Sequence, residues 1–193
     1  MTAADQHRDI AGRFGELVRS APTELWDAPS PVPGWTARDV VRHPLSWFPG
    51  FLQGGAGIEL PSGPSVDDDP VAAWQTHADA VQALLADPES SARPFSNPHI
   101  GDLPLEVAID RFYTGDLFLH TWDLARATDQ EPALDEARCA EMLIGMEQMD
   151  EILRSSGQYG PRVDVPAGAS AQDRLIGFIG RDPDWRQQVS TGS

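Results

Sequence analysis

The amphipathic periodicity of this chain constrains its fold more than any other feature of the sequence. Apolar residues recur three and four positions apart, as on one face of a helix, and no segment shows a convincing alternation of apolar and polar residues. Stretches rich in proline and glycine separate the periodic segments. The sequence therefore predicts an all-α fold, a four-helix bundle with additional short helices. The predicted helices cover about 4–19, 36–53, 70–86, 104–128, 135–155 and 171–179.

Local signals mark where two of these helices begin. Thr36 is followed three positions later by Asp39, which resembles a capping box with Asp in place of the usual Glu. Pro70 stands at the first turn of the third helix, where its missing N–H costs nothing. Pro44 lies inside the second helix and removes one backbone donor. We therefore expect a kink near His43.

The length and the single cysteine set further bounds. A chain of 193 residues predicts one domain over 1–193. It has no apolar run of eighteen residues, and its first residues lack the basic start and apolar middle of a secretory signal, so we expect a cytoplasmic protein. Cys139 is the only cysteine, which excludes an internal disulfide, and its apolar helical neighbours predict a core position.

The charge of the chain argues against two classes of partner. The formal net charge is −16, and no block of basic residues occurs. Nucleic acids and anionic membranes are bound mainly through Lys and Arg, so neither is expected as a partner. All fourteen basic residues are Arg, while Ala, Gly and Pro are abundant. These residues have GC-rich codons, so the composition favours a high-GC bacterial source, such as an actinobacterium.

A carboxylate and two imidazoles form the candidate metal site. Asp116 and His120 are four positions apart on the predicted fourth helix, about one turn, and therefore on the same face. His43, on the second helix, is the natural third ligand. Two His and one carboxylate suit zinc with a fourth position open, and other first-row divalent ions accept similar sets. The same three residues would also fit a hydrogen-bonded cluster without metal.

Other residues near this site have two interpretations each. Asp123 lies three residues after His120 and could orient it, or it could form an ion pair with Arg126 or with an Arg on another helix. Trp35 and Trp122 could wall a substrate cleft, although large aromatic residues at helical spacing more often belong to a core.

The remaining histidines are expected to lie outside the site. His7 and His77 have polar neighbours and are predicted to face solvent, and His99 falls in a predicted loop. Arg181 and Asp182 are expected to tie the C-terminal segment to the bundle.

Three motifs carry a family resemblance that spans most of the chain. They are PGWTARDVVRH at 33–43, DLFLHTWDLARAT at 116–128 and GRDPDW at 180–185. In this order and spacing they resemble the actinobacterial mycothiol-dependent maleylpyruvate isomerase-like proteins, within the DinB/YfiT-like superfamily of metal-binding four-helix bundles. The resemblance implies that His43, Asp116 and His120 bind a divalent metal.

The sequence also departs from that family at two positions. Asp116 stands where the isomerase has Glu, one methylene longer, and Pro44 stands where the family usually has Leu. The chain looks like the shorter branch of the family, so isomerisation of maleylpyruvate itself is only weakly implied.

The resemblance implies a thiol-dependent chemistry. The metal, zinc above all but also nickel, manganese or iron, would bind the sulfur of a small thiol such as mycothiol. The thiolate would then add to an electrophilic small molecule, as in a thiol transferase or isomerase. The alternative is a non-catalytic bundle that binds a metal or a small ligand. No general base is assigned, and the oligomeric state stays open because DinB-like relatives vary.

Overall fold

The protein is mostly helical, as the periodicity predicts. A computed structural model describes residues 1–187. Four long helical stretches form a bundle, and a two-stranded hairpin and shorter helices surround it. The elements are α1 (Ala3–Ser20), a 3₁₀ turn (Thr23–Leu25), α2 (Ala37–Ala56), α3 (Pro70–Ala86), α4 (Pro88–Ser91), β1 (Pro94–Asn97), β2 (Gly101–Pro104), α5 (Leu105–Ala108), a π-helical segment (Ile109–Thr114), α6 (Gly115–Ala127), α7 (Glu136–Glu147), α8 (Asp150–Ser155) and α9 (Ala171–Phe178).

The caps that the sequence predicts are present at the helix starts. The Thr36 hydroxyl accepts a hydrogen bond from the Asp39 N–H at 3.2 Å, and the Thr36 N–H donates to the Asp39 carboxylate at 2.9 Å. The backbone N–H groups of Thr36 and Asp39 would otherwise have no hydrogen-bond partner at the start of α2. Pro70 is the first residue of α3. Helix α2 continues through Pro44 to Ala56, and a kink near that proline stays a prediction.

The helix predicted over 104–128 contains a wider turn. It begins as α5, continues through the π-helical segment and becomes α6 without leaving the helical region of backbone space. A π-helical turn takes one residue more than an α-helical turn, and such turns are frequent at functional sites. The segment ends at Thr114, two residues before Asp116. The sequence therefore predicted the extent of this helix but not the π-helical turn within it.

The absence of strands in the sequence prediction was wrong for one segment. β1 and β2 pair antiparallel, with Phe95 opposite Leu103. The Phe95 side chain is fully buried, and its ring lies 4.5 Å from that of Phe51 in α2. The hairpin thus closes one side of the core. Strands of four residues bounded by Pro and Gly give too little alternation to be recognised.

Two apolar clusters flank α6. One is shared with α1, α2 and α3, and the other with α7 and α9. Because α6 lies between them, almost all of its residues are buried. Cys139 is buried in the second cluster, as predicted. The predicted fifth helix is divided into α7 and α8. None of the helices among residues 1–187 has the length and apolarity that crossing a membrane requires.

The prediction that His7 and His77 face solvent was wrong. His7 in α1 and His77 in α3 are 1% and 6% exposed. Both pack near the buried ring of Tyr113, with centroids 5.8 and 5.6 Å away. Each histidine is spaced like the apolar residues of its own helix, so it turns inward with them. Polar sequence neighbours on the other faces concealed this.

Candidate metal centre

Two packed helices supply the three candidate ligands. His43 lies in the second turn of α2, and Asp116 and His120 lie one turn apart in the first half of α6. The capping box at Thr36 fixes the start of α2, and the two apolar clusters fix α6. The positions of the ligands are therefore set by the core of the bundle, and not by a loop.

The structure brings the three side chains together. His43 Nε2 lies 3.1 Å from Asp116 Oδ2, and His120 Nε2 lies 3.5 Å from Asp116 Oδ1. One nitrogen or oxygen from each residue lies within 4.8 Å of the others. His120 is buried, whereas His43 and Asp116 are partly exposed. The cluster therefore lies at the edge of the core, where it meets solvent.

Neighbouring charges and hydrogen bonds favour the charged forms of Asp116 and His120 despite their burial. Burial by itself would raise the pKa of Asp116, but the neighbouring His120 and the hydrogen bond with His43 outweigh it, so the pKa is lowered. Burial would lower the pKa of His120, but the carboxylates of Asp116 and Asp123 outweigh it, and the pKa is raised. An ionised Asp116 is the form that a metal ion binds.

Asp123 fixes the orientation of the His120 ring through Nδ1, the nitrogen that does not face Asp116. The Nδ1–H of His120 donates to Asp123 Oδ2 at 2.9 Å, and Asp123 is completely buried. Arg181 Nε donates to the other oxygen, Oδ1, at 3.0 Å. The sequence offered these two roles as alternatives, and Asp123 fulfils both, with Arg181 in place of Arg126. Its pKa is lowered because these hydrogen bonds outweigh burial.

The donor set and its spacing fit a divalent metal ion. With Nδ1–H donated to Asp123, a neutral His120 presents the lone pair of Nε2 toward Asp116. Ligands about 2.1 Å from a tetrahedral zinc ion lie about 3.4 Å from one another. The separations of 3.1 and 3.5 Å run from the two imidazoles to different oxygens of Asp116, and one donor atom from each of the three residues lies within 4.8 Å of the others, so the three surround a single position that an ion could occupy. The set does not select among zinc and similar first-row ions.

Trp35 walls the cleft beside these ligands. Its ring stacks on His120 with centroids 5.6 Å apart, and lies 5.0 Å from the ring of His43. The cleft has a volume of about 390 Å³, and Arg42 and Ser46 also line it. Of the two interpretations given for Trp122, the core position is the one observed, because its side chain is fully buried in the second apolar cluster.

The sequence did not predict two residues that lie next to the site. Trp47 follows His43 by one helical turn, and its ring lies 6.1 Å from the imidazole. That spacing of four residues was the available signal. Arg42 borders the cleft, although it directly precedes His43 and received no role from the sequence. His99 is exposed in the turn between β1 and β2, as the predicted loop implies.

Comparison with known proteins agrees with the class that the fold and site define, a helical bundle with a candidate metal centre. Residues 7–125 match the family described as mycothiol maleylpyruvate isomerase N-terminal domain, and the chain belongs to that family. The matched range includes all three candidate ligands and Asp123, whereas Arg181 lies beyond it.

Two curated relatives come from Mycobacterium tuberculosis, strains CDC 1551 / Oshkosh and ATCC 25618 / H37Rv. Each is named only as an uncharacterized protein. Each is 28% identical to this chain over 178 residues, which is 91% of this chain and 95% of the relative. No solved structure matches the chain significantly.

Proposed function

We propose that the protein binds one divalent metal ion, most favourably zinc, and uses it to activate a low-molecular-weight thiol such as mycothiol. The single observation that carries this proposal is the convergence of His43, Asp116 and His120 at the edge of the bundle. Membership of a family named for mycothiol and maleylpyruvate supports the choice of a thiol as co-substrate.

The residues of the chain would hold the ion and its surroundings in place. The three ligands would bind the ion, Asp123 would fix the tautomer and orientation of His120, and Trp35 would exclude water from one side. A zinc ion held by these residues would supply Lewis acidity, which favours the thiolate form of a small thiol at neutral pH.

The reaction type that follows is addition of sulfur to an electrophilic carbon. The thiol loses its S–H proton to solvent and a new S–C bond forms, while the π electrons of the electrophile move to the neighbouring atom, which takes up a proton from solvent. In a transferase the adduct is the product. In an isomerase the same bond breaks again and the thiol is regenerated. Asp39 and Arg42, the charged residues of the cleft beside the ligands, are paired with each other, so neither is assigned as a general base.

Metal analysis tests the first half of the proposal. We expect about one zinc per chain in the wild-type protein after zinc loading and dialysis, and far less in His43→Ala and His120→Ala variants. His99→Ala is the matched control, because His99 is exposed and lies outside the ligand cluster. Equal zinc in all four proteins would mean that the three residues form only a hydrogen-bonded cluster.

Thiol consumption tests the second half. Zinc-loaded protein is mixed with mycothiol and a panel of electrophiles, and loss of free thiol is followed against the His120→Ala variant. Consumption that requires His120 supports an enzyme. A protein that binds zinc stoichiometrically but consumes no thiol with any electrophile would instead be a non-catalytic binding protein of the same fold.

A further inference from the structure

A second cavity lies beside the metal cleft along α2. It has a volume of about 380 Å³, within the range of small-molecule sites, and lies between α2, α3 and the segment 60–66. Arg42 and Ser46 line both this cavity and the metal cleft. A molecule in the second cavity would therefore border the position where the thiol is proposed to bind. Apolar side chains form much of the wall, namely those of Leu45, Pro49, Leu60, Pro64, Val66 and Ala73.

The charges of both cavities are already paired. Arg42 is the only charged residue among those lining the second cavity, and its guanidinium forms ion pairs with Asp39 and Asp67. Among the described residues that line the metal cleft, Asp39 is the only one with a carboxylate, and His43 is the only candidate ligand. Within residues 1–187, the two cavities therefore offer no arginine that is not already bound to carboxylates.

The remaining titratable lining residue does not supply a positive charge either. His77 borders the second cavity, and burial lowers its pKa to about 4. Its imidazole is therefore neutral at pH 7. A neutral imidazole and the serine hydroxyls can donate hydrogen bonds to a carbonyl, but they cannot offset the loss of water around a carboxylate.

We propose that the second cavity binds the electrophile, and that this electrophile is an uncharged, largely apolar molecule. The assignment of the ligand as an electrophile rests on the proposed function, but the preference of the cavity for uncharged molecules can be measured independently of that function. Maleylpyruvate, which gives the family its name, carries two carboxylates. Such a dianion would meet paired Arg42, the nearby carboxylates and an apolar wall. We therefore expect this chain to prefer neutral ester-like or ketone-like electrophiles.

A binding experiment with unreactive probes tests the selectivity of the cavity directly. Isotope-labelled, metal-free protein is titrated with diethyl succinate and, separately, with succinate, while NMR follows the amides of residues 60–66. We expect saturable shifts with the diester and a Kd about tenfold or more below that for succinate, a difference that corresponds to about 1.4 kcal/mol. Equal or tighter binding of succinate, or no shift with either probe, would overturn the proposal.

A matched pair of variants locates the probe. Ser62 is exposed at the rim of the second cavity, so Ser62→Trp should fill the cavity without disturbing the core. Ser155→Trp is the control, because Ser155 is also exposed but lines neither cavity. We expect diester binding to weaken about tenfold in Ser62→Trp alone. Equal binding by both variants would place the diester elsewhere and refute the assignment.

Turnover separates this inference from the proposed function. Zinc-loaded protein with mycothiol is offered diethyl maleate or maleate at equal concentrations. Each rate is divided by the rate of the same mixture without protein, because the diester reacts faster with thiols on its own. A larger acceleration of the diester supports both proposals, whereas a larger acceleration of maleate supports thiol chemistry and refutes the neutral electrophile. If neither is consumed but the diester binds as expected, the cavity assignment stands and the proposed catalysis with these substrates fails.

Discussion

Replacement of Asp123 by Asn should disturb both the stability of the bundle and its metal affinity. Asp123 is completely buried between His120 and Arg181, and the Arg181 side chain is only 11% exposed. The substitution keeps the shape of the side chain but removes the negative charge. It would leave the guanidinium of Arg181 in the protein without a carboxylate.

The expected loss of stability follows from this burial. Removing one partner of a buried ion pair typically costs about 3–5 kcal/mol. The amide oxygen of Asn can still accept one of the two hydrogen bonds, so the lower end applies, about 3 kcal/mol. Arg181→Leu should cost a similar amount, but the double variant should lose about 2 kcal/mol less than the sum, because neither charge is then left alone.

Two assays measure these effects. Urea unfolding of the metal-free proteins, followed by tryptophan fluorescence, gives the free energy of unfolding of the four members of the cycle without a contribution from bound ion. Competition with a chromophoric chelator gives zinc affinity, which should fall about 10–100-fold in Asp123→Asn because a neutral amide oxygen orients and polarises His120 less than a carboxylate does. Free energies that add within about 0.5 kcal/mol, together with unchanged zinc affinity, would refute this account of Asp123.

Three further predictions use other parts of the core. Gly55→Ala should destabilise the protein by about 1–3 kcal/mol in urea, since a Cβ there would overlap the Phe95 ring, whereas Gly54→Ala, which meets nothing, should be neutral or slightly stabilising; equal effects would contradict this packing. Burial lowers the folded-state pKa of His77 from 6.5 to about 4, so the unfolded chain takes up a proton first as the pH falls. The contribution of His77 to the free energy of unfolding is therefore complete above pH 6.5 and falls by about 3 kcal/mol toward pH 4. The difference in free energy of unfolding between the wild type and His77→Leu should change with pH over that window. A constant difference would argue against this pKa. Cys139 is buried and its pKa is raised to about 12, so an aromatic disulfide reagent at pH 8 should label it rapidly only in urea; rapid labelling of the folded protein would show that this face of α7 opens.

The helical frame could be predicted from the sequence because its signals are local. The Thr36 capping box, Pro70 and the apolar periodicity lie within the helices that they define. The same local logic placed Asp116 and His120 on one face of α6. The family resemblance supported the choice of His43, because nothing in local sequence shows which histidine of a distant helix lies opposite.

The features that escaped prediction depend on contacts between distant segments. The sequence predicted that Arg181 would tie the C-terminal segment to the bundle, but its partner Asp123 is 58 residues away in the chain, so the pairing itself has no local signal. The hairpin exists because Phe95 packs against α2, and without that burial a pair of four-residue strands would be marginal. His7 and His77 do show a signal, the helical spacing that they share with buried neighbours, but their polarity outweighed it in the prediction.

The π-helical segment Ile109–Thr114 makes the length of the chain upstream of Asp116 critical. If the same number of residues formed an ordinary α-helix, the extra residue would rotate α5 against α6 by about 100°. Either Leu105 would leave its buried position, or the carboxylate and imidazole of α6 would turn away from α2. Relatives with an ordinary α-helix in this stretch should therefore be one residue shorter there, and their other changes in length should fall in connections such as that between α2 and α3.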